Sequence, residues 1–406
     1  MTQKGEAGAR GKDVRSDCYV SVELAATGGI QVELQSKVAG LYGNRIREVI
    51  GATLKTLGVD HAKIGVEDQG ALDWVMMARI EAAVRRAGFE IKQPALPPER
   101  AGMRAPTSRD RMRRSRLYLP GNNPKVMING GLYGGDAMIL DLEDAVAPSV
   151  KDAARLLVRN ALRQLDFGGA ERMVRINQGE PGRQDLDEIL PQNVHCLLVP
   201  KVESADQIRA VDEHIAKRLG KDHGVLLMPI IESARGAWHA FEIASAAPSV
   251  VALAIGLEDY TADIGVQRTL EGRESFWARS QVVNGARAAG VQPIDTVFSD
   301  VGDMEGLRQS VLEAKALGFE GKGCIHPRQI KVVHDGFAPD AAEIKKATAI
   351  VLAFEEAQAK GLGVISLGTK MIDPPVVKRA IKSVELAVAA GKLTPGWRAE
   401  QTAKPA

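Results

Sequence analysis

The rhythm of apolar positions changes several times along the chain. In "CYVSVELAA" and "GIQVELQS" apolar and polar residues alternate around Gly28-Gly29, which predicts two strands joined as a hairpin. "NRIREVIGATLKTLGV" spaces its apolar residues at helical intervals. "AKIGVED" reads as a third short strand, and "ALDWVMMARIEAAVRRAG" as a second amphipathic helix ending at Gly88. These elements outline a small α/β unit over residues 14–92. Pro94, Pro97, Pro98 and Pro106 follow it, and they make residues 93–110 an extended linker.

Beyond the linker, short apolar runs alternate with helical patterns. The runs are "RLYLP" (116–120), "AMILDLED" (137–144), "MVRIN" (173–177), "CLLVPK" (196–201), "LLMPIIE" (226–232), "VALAIGLED" (251–259), "PIDTV" (293–297) and "GKGCIHP" (321–327). Segments such as "KDAARLLVRNALRQL" and "SADQIRAVDEHIAKRL" lie between them. Eight such βα repeats predict an α/β fold, a closed (β/α)8 TIM barrel over 111–338. An open doubly wound sheet is the alternative, but "LPGNNP" lacks the dinucleotide-binding spacing of glycines. From about residue 340 the pattern is helical, interrupted by a glycine-rich turn and by Pro374-Pro375, and 339–395 reads as a C-terminal helical lid. The ending "WRAEQTAKPA" is polar and reads as disordered.

Composition narrows the function. The 406 residues suffice for two or three domains, and 45% apolar content supports a large core. A formal charge of +2 and 4% aromatic residues give no case for nucleic acid or an anionic membrane. The local basic cluster "RDRMRRSRLYL" reads as part of a solvated linker. Cys18, Cys196 and Cys324 are odd in number and far apart, so neither a disulfide framework nor a CxxC clip is expected. The polar start "MTQKGEAGARGKDV" has no signal-peptide core, and no apolar run is long enough to span a bilayer, so a cytoplasmic protein is expected.

In such a barrel, chemistry gathers where strands end and βα loops begin. Those ends carry Glu143 and Asp144, Arg175, Lys201, Glu232, Asp259 and His326. Glu143 and Asp144 also suit a helix N-terminus, where the dipole favours acids. Glu232 in "MPIIESARG" and Asp259 in "ALAIGLEDY", beside Glu258, close runs that read as fully buried strands. Carboxylates there, without a histidine cluster, describe an oxygen site for a hard cation such as Mg²⁺, completed by waters and substrate. His326 reads as a packing or supporting residue. Arg175 in "VRIN" offers a fixed fork for a carboxylate or a developing oxyanion. Lys201 in "VPKVES" leaves a Schiff-base mechanism open.

The segments "RSRLYLPGNNP", "AMILDLEDAV", "MVRIN", "LVPKVES", "IIESARG", "AIGLEDY" and "GCIHPRQI" together resemble the citrate lyase β-subunit family, a branch of the HpcH/HpaI-type aldolases. The likeness spans 114–385 and includes "GLGVISLGTKMIDPPVV". It implies a TIM barrel that assembles as a homo-oligomer, a trimer or hexamer. "GIQVELQSKVAGLYGNRIREVIGATLKTLGV" and "VEDQGALDWVMMARIEAAVRRA" are similar to the citrate lyase acyl carrier (γ) subunit, here fused through the proline-rich linker. That family carries a phosphoribosyl-dephospho-CoA arm on a serine two residues before an aspartate. In "DVRSDCYV" Arg15 holds that place and Ser16 directly precedes Asp17, so the attachment site is shifted to Ser16 or lost.

Residue by residue, the resemblance implies magnesium ligands at Glu232 and Asp259. It implies substrate or oxyanion contact by Arg175, and substrate or thioester binding by Arg114 and the Pro120, Gly121, Asn122 loop, with Lys201 nearby. Glu143 and Asp144 would support the metal waters and Arg175. Asp373 in "KMIDPP" would enter a neighbouring subunit's site, with a helix N-cap before Pro374 as the alternative. The implied reaction is a reverse Claisen cleavage of a citryl- or malyl-type 3-hydroxyacyl thioester, on CoA or on a carrier, into a 2-oxo acid (oxaloacetate or glyoxylate) and an acetyl thioester. An acyltransferase (α) subunit is an implied partner. A thioesterase using the same site, a lysine aldolase and a non-catalytic carrier or assembly protein are the competing readings.

Overall fold

The computed structural model describes residues 3–103, 105–359, 365–367 and 370–402. By its internal contacts the chain divides into two units, 1–330 and 331–406.

The first unit opens with a four-stranded sheet formed by β1 (Lys4–Gly8), β2 (Cys18–Leu24), β3 (Ile30–Ser36) and β4 (Ala62–Asp68), in the order β1-β2-β4-β3. The hairpin expected around Gly28-Gly29 does not form. β4 inserts between β2 and β3, antiparallel to the first and parallel to the second. The reason lies in the side chains. β4 buries Ala62, Ile64 and Val66, whereas every residue of β3 keeps some exposure, so the more apolar strand takes the interior position. β1 has too little apolar patterning to be read from sequence. It fits because Gly5 lies against helix Asp73–Arg86, where a Cβ would stand 2.0 Å from the Ala83 carbonyl oxygen.

Helix Asp73–Arg86 then packs on helix Lys151–Gln164 of the barrel. A pair of charges with no solvent access joins them: Arg159 Nη2 and Nη1 donate to the Glu81 carboxylate at 2.7 and 3.0 Å. The Ala95 N–H also donates to Glu81, at 2.7 Å. The proline-rich segment is therefore strapped to the barrel instead of running free, with Arg163 donating to the Pro97 carbonyl.

The barrel closes from β5 (Ser115–Pro120), β6 (Ala137–Asp141), β7 (Glu171–Arg175), β8 (Cys196–Val199), β9 (Leu226–Ile231), β10 (Ala252–Ile255), β11 (Gln292–Asp295) and β12 (Gly321–Cys324), all parallel. Its lumen is filled by inward residues of several strands, among them Ile139, Met173, Leu198, Met228, Ile230 and Ala254. The strands end earlier than their apolar runs suggest. Asp259 belongs to the first turn of helix Leu257–Asp263, not to a strand end, because Gly256 breaks the strand and caps that helix. The "RDRMRRSRLYL" cluster is anchored to the barrel, although Arg109 keeps its exposure. Arg109 and Arg111 donate to carbonyls of Val250 and Gly169, and Arg113 is buried against Glu171. These arginines close the N-terminal end of the barrel by satisfying loop carbonyls and one strand-leading acid.

The second unit pairs helices Ala341–Ala359 and Pro374–Ala389 around Ile350, Val351, Val377, Val384 and Trp397. A short hairpin, Ile365–Leu367 with Lys370–Ile372, lies between them. Part of the glycine-rich turn in "GLGVISLGTK" lies outside the described residues.

Candidate active site

Strand β6 ends on Asp141 and β7 ends beside it on Arg175. Parallel register makes them neighbours, and Arg175 meets Asp141 with both arms of its fork: Nε to Oδ1 at 2.7 Å and Nη2 to Oδ2 at 2.6 Å. The third nitrogen, Nη1, stands 3.0 Å from Glu143 Oε2, and the guanidinium carbon lies 5.1 Å from the Tyr118 ring centre. Burial works against the charge, but the Asp141 hydrogen bonds and charge outweigh it, so Arg175 stays cationic above any working pH. Asp141 also accepts the Glu143 N–H, which fixes the following loop.

Lys201, just past β8, adopts a left-handed φ of 52°. That turn aims its N–H at Glu232 Oε2, 2.7 Å away, and sends its ammonium to Glu143 Oε1 at 2.7 Å and Asp144 Oδ1 at 3.2 Å. Partial burial disfavours the ammonium, yet the Glu143 hydrogen bond and the charges of Glu143 and Asp144 together outweigh it and raise its pKa, so Lys201 holds its proton. It is an ion-pair partner, not an amine ready for Schiff-base attack.

Glu232 follows β9 and is only 6% exposed. Desolvation lifts its pKa to about 7; the neighbouring charges of Glu143 and Asp259 add to this, while the Lys201 N–H and Arg175 oppose it. Its Oε1 faces Gly256, where a Cβ would stand 2.6 Å away. Asp259 is half-buried and lines the same cavity, a space of about 250 Å³ whose wall includes Arg116, Tyr118, Arg175, Glu232 and Thr296. A buried acid lifted by desolvation, beside a second acid on one cavity, suits a hard divalent cation. Two carboxylates with substrate and water oxygens make up a magnesium shell, and among the described residues no set of three or more His, Cys, Asp or Glu converges as a full protein cage.

Several candidates fall elsewhere. Arg114 is at the opposite end of the barrel, bound through Nε and Nη2 to Asp136 at 2.9 Å each, because it precedes β5 instead of following a strand. Pro120, Gly121 and Asn122 do sit at the catalytic end. The Gly121 N–H donates to the Asp141 carbonyl at 2.7 Å, and the Asn122 carbonyl accepts Arg79 Nη2 at 3.0 Å. Asp144 is exposed at the rim, and Glu143 is buried beside Arg175. His326 accepts the Arg328 N–H in its own turn. Asp373 caps helix Pro374–Ala389, its Oδ1 accepting the Val376 N–H at 3.1 Å. Ser16 has a left-handed φ of 58°, and the next residue, Asp17, is buried and held by Arg79 Nε and Nη2 at 3.0 and 2.8 Å.

Sequence reasoning passed over Asp141, Arg116 and Gly256. Asp141 was legible, as an acid inside the apolar run "AMILDLED". Arg116 shares the inward parity of Tyr118 on β5, which was a usable signal. Gly256 becomes meaningful only once Glu232 is seen against it.

Comparison with known proteins gives a consistent picture. The family model described as HpcH/HpaI aldolase/citrate lyase matches residues 114–327. Residues 7–87 match the acyl-carrier model described as malonate decarboxylase delta subunit (MdcD). A citrate lyase subunit beta from Leuconostoc mesenteroides subsp. cremoris is 39% identical over 284 residues, 68% of this chain and 94% of that protein. The mitochondrial citramalyl-CoA lyase of Homo sapiens is 36% identical over 290 residues, 68% of this chain and 85% of that protein. The structure of CitE from Mycobacterium tuberculosis with magnesium, acetoacetate and coenzyme A superposes with a TM-score of 0.59 at 31% identity, covering 69% of this chain and 99% of that one.

Proposed function

Since the chain belongs to the HpcH/HpaI aldolase/citrate lyase family, we propose that it is a magnesium-dependent carbon–carbon lyase. Its substrate is a 3-hydroxyacyl thioester of citryl or malyl type, cleaved to a 2-oxo acid and an acetyl thioester. The observation that carries this reading is Arg175, locked by Asp141 in a single orientation over the cavity that also holds Glu232 and Asp259.

Glu232 and Asp259 would hold the metal. Bound there, a divalent cation stabilises negative charge on substrate oxygens. The rest of the chemistry belongs to the chain. A base at the rim takes the hydroxyl proton, and the carbinol oxygen becomes the new ketone oxygen. The carbon–carbon bonding pair passes to the acetyl fragment, whose thioester oxygen takes up enolate charge. Arg175 meets that charge with a cation already in position, so little reorganisation is needed during the reaction. Glu143, bridged to both Arg175 and Lys201, keeps the two cations apart and oriented. Asp373 of a second copy supplies the proton that converts the enolate carbon to a methyl group, which makes the active form a homo-oligomer.

The acyl group reaches the site on free CoA. Arg15 occupies the place of the carrier serine, and the small domain is fastened by the buried Glu81–Arg159 pair, so it has no freedom to swing. On this reading Ser16 carries no phosphoribosyl-dephospho-CoA arm and no acyltransferase subunit is needed.

Product analysis tests the reaction. Incubation with citryl-CoA or malyl-CoA and Mg²⁺ should yield acetyl-CoA and the matching oxo acid. Release of free CoA thiol with an intact hydroxy acid would replace the lyase reading with a thioesterase. Intact-mass measurement on protein from its native host tests the substrate form, and a prosthetic-group mass on Ser16 would overturn the free-thioester reading.

A further inference from the structure

Arg116 lies on the lumen side of β5 and is only 2% exposed. Its partners are poor for a full positive charge. Nη1 points at the Met228 thioether at 3.0 Å, Nη2 reaches the Asp295 carbonyl at 3.5 Å, and Nε is buried without a hydrogen-bond partner. Other buried cations differ. Arg79, Arg113, Arg155, Arg159, Arg279 and Lys322 each meet a carboxylate, and Arg172 is bound by three main-chain carbonyls. A guanidinium taken out of water without an anion is among the costliest groups a core can hold.

Gly323 of β12 lies opposite Arg116 in register and presents no side chain beside the guanidinium; the place its Cβ would take, 2.6 Å from Val297 Cγ1, is already filled. Arg116 also borders the cavity that holds Glu232, Asp259 and Arg175. Between the lone cation and those rim groups the wall is apolar, with Ile230 and Ala254. The cavity thus has an acid-rich mouth suited to a metal, a short apolar waist, and a cationic floor.

We propose that Arg116 is a specificity-determining residue that receives a second carboxylate of the substrate, one methylene removed from the reacting carbon. The preferred substrate is then a thioester whose cleavage releases a dicarboxylic 2-oxo acid. This choice of substrate rests on the lyase reading, and the floor subsite does not. A carboxylate there would meet the guanidinium where it borders the cavity and supply the anion it lacks, and its methylene would lie along the apolar waist. A 2-oxo acid ending in a methyl group would leave the guanidinium as it is, buried and unpaired.

Two measurements on the full chain with Mg²⁺ decide the matter separately. Calorimetry with freshly dissolved oxaloacetate and with pyruvate reads the floor without any turnover. The wild type should bind oxaloacetate about ten- to hundredfold more tightly, the usual worth of a hydrogen bond to a charged group. Arg116→Met should erase the difference, Arg116→Lys should restore part of it, and removal of the unpaired charge should raise the melting temperature of the Met variant. Equal affinities in the wild type, or a difference that survives in Arg116→Met, would overturn the assignment. Turnover of citryl-CoA against citramalyl-CoA, which carries a methyl in place of the carboxymethyl group, forms the second measurement. The kcat/KM ratio should favour citryl-CoA and fall by a similar factor in Arg116→Met. If the wild type cleaves neither thioester, the lyase reading fails while the binding data still decide the role of Arg116.

Discussion

Glu232 ties the proposed metal affinity to pH with a definite sign. An ordinary glutamate loses its proton near 4.5, whereas burial moves Glu232 to about 7. A metal ligand must be ionised, so the cation has to displace that proton. At pH 8 the site is open. At pH 5 only about one molecule in a hundred has Glu232 ionised, and apparent Mg²⁺ affinity should be about a hundredfold weaker. A site with unshifted acids would change less than about twofold over the same range. The protein's own stability runs the other way. Its native state holds this proton more tightly than the unfolded chain, so Glu232 costs nothing below pH 4.5. Metal-free protein then loses stability as pH rises from 4.5 through 7, by about 3 kcal/mol in total. Isothermal titration with Mg²⁺ at pH 6 in buffers of different ionisation enthalpy should show release of roughly 0.9 proton per ion bound. In Glu232→Gln, Mg²⁺ binding should be lost, and EDTA-treated protein should resist unfolding at pH 8 better than wild type. Affinity that stays flat from pH 8 to pH 5, with no proton released, would refute both the ligand assignment and the desolvation argument behind it.

Other expectations follow from single contacts. Arg175→Ala should lower kcat by about a hundred- to a thousandfold, the usual effect of losing one oxyanion donor, with little change in KM; unchanged turnover would remove Arg175 from the mechanism. Gly256→Ala places a methyl 2.6 Å from Glu232 Oε1. Mg²⁺ affinity should drop at least tenfold while the circular-dichroism spectrum stays native. Borohydride added with substrate should leave the protein mass unchanged, because Lys201 is held protonated by Glu143 and Asp144; a stable adduct on Lys201 would establish the amine mechanism instead. Glu81→Gln removes one of the two carboxylates that Arg159 meets, leaving Glu188 at 2.9 Å, and should cost about 1–3 kcal/mol, read as faster proteolysis within the 93–110 segment.

The barrel was legible because eight apolar runs, each short and punctuated, leave little choice of architecture. The rim positions were legible where an acid interrupts such a run, as at Glu232, which does follow its strand and line the cavity. Sequence could not settle which strand lies beside which in the small domain. The Gly28-Gly29 turn favours a hairpin locally, and only the burial of Ile64 and Val66 decides for β4. Arg114 shows the opposite failure. Proximity in sequence to the "PGNNP" loop suggested substrate contact, yet the length of β5 places the two at opposite ends of the barrel. Arg113 and Arg111 looked like solvated charge because a list of residues does not show the carbonyls waiting for them.

Arg79 is shared. One arm of its guanidinium serves Asp17 in the small domain and also the carbonyl of Asn122 on the barrel's catalytic rim. The fused domain is therefore a brace for the mouth of the barrel, and a fault that begins far from the reacting carbon, at the Asp17 turn, travels to the rim through one side chain. Heat that loosens the brace should switch the enzyme off before the barrel itself melts.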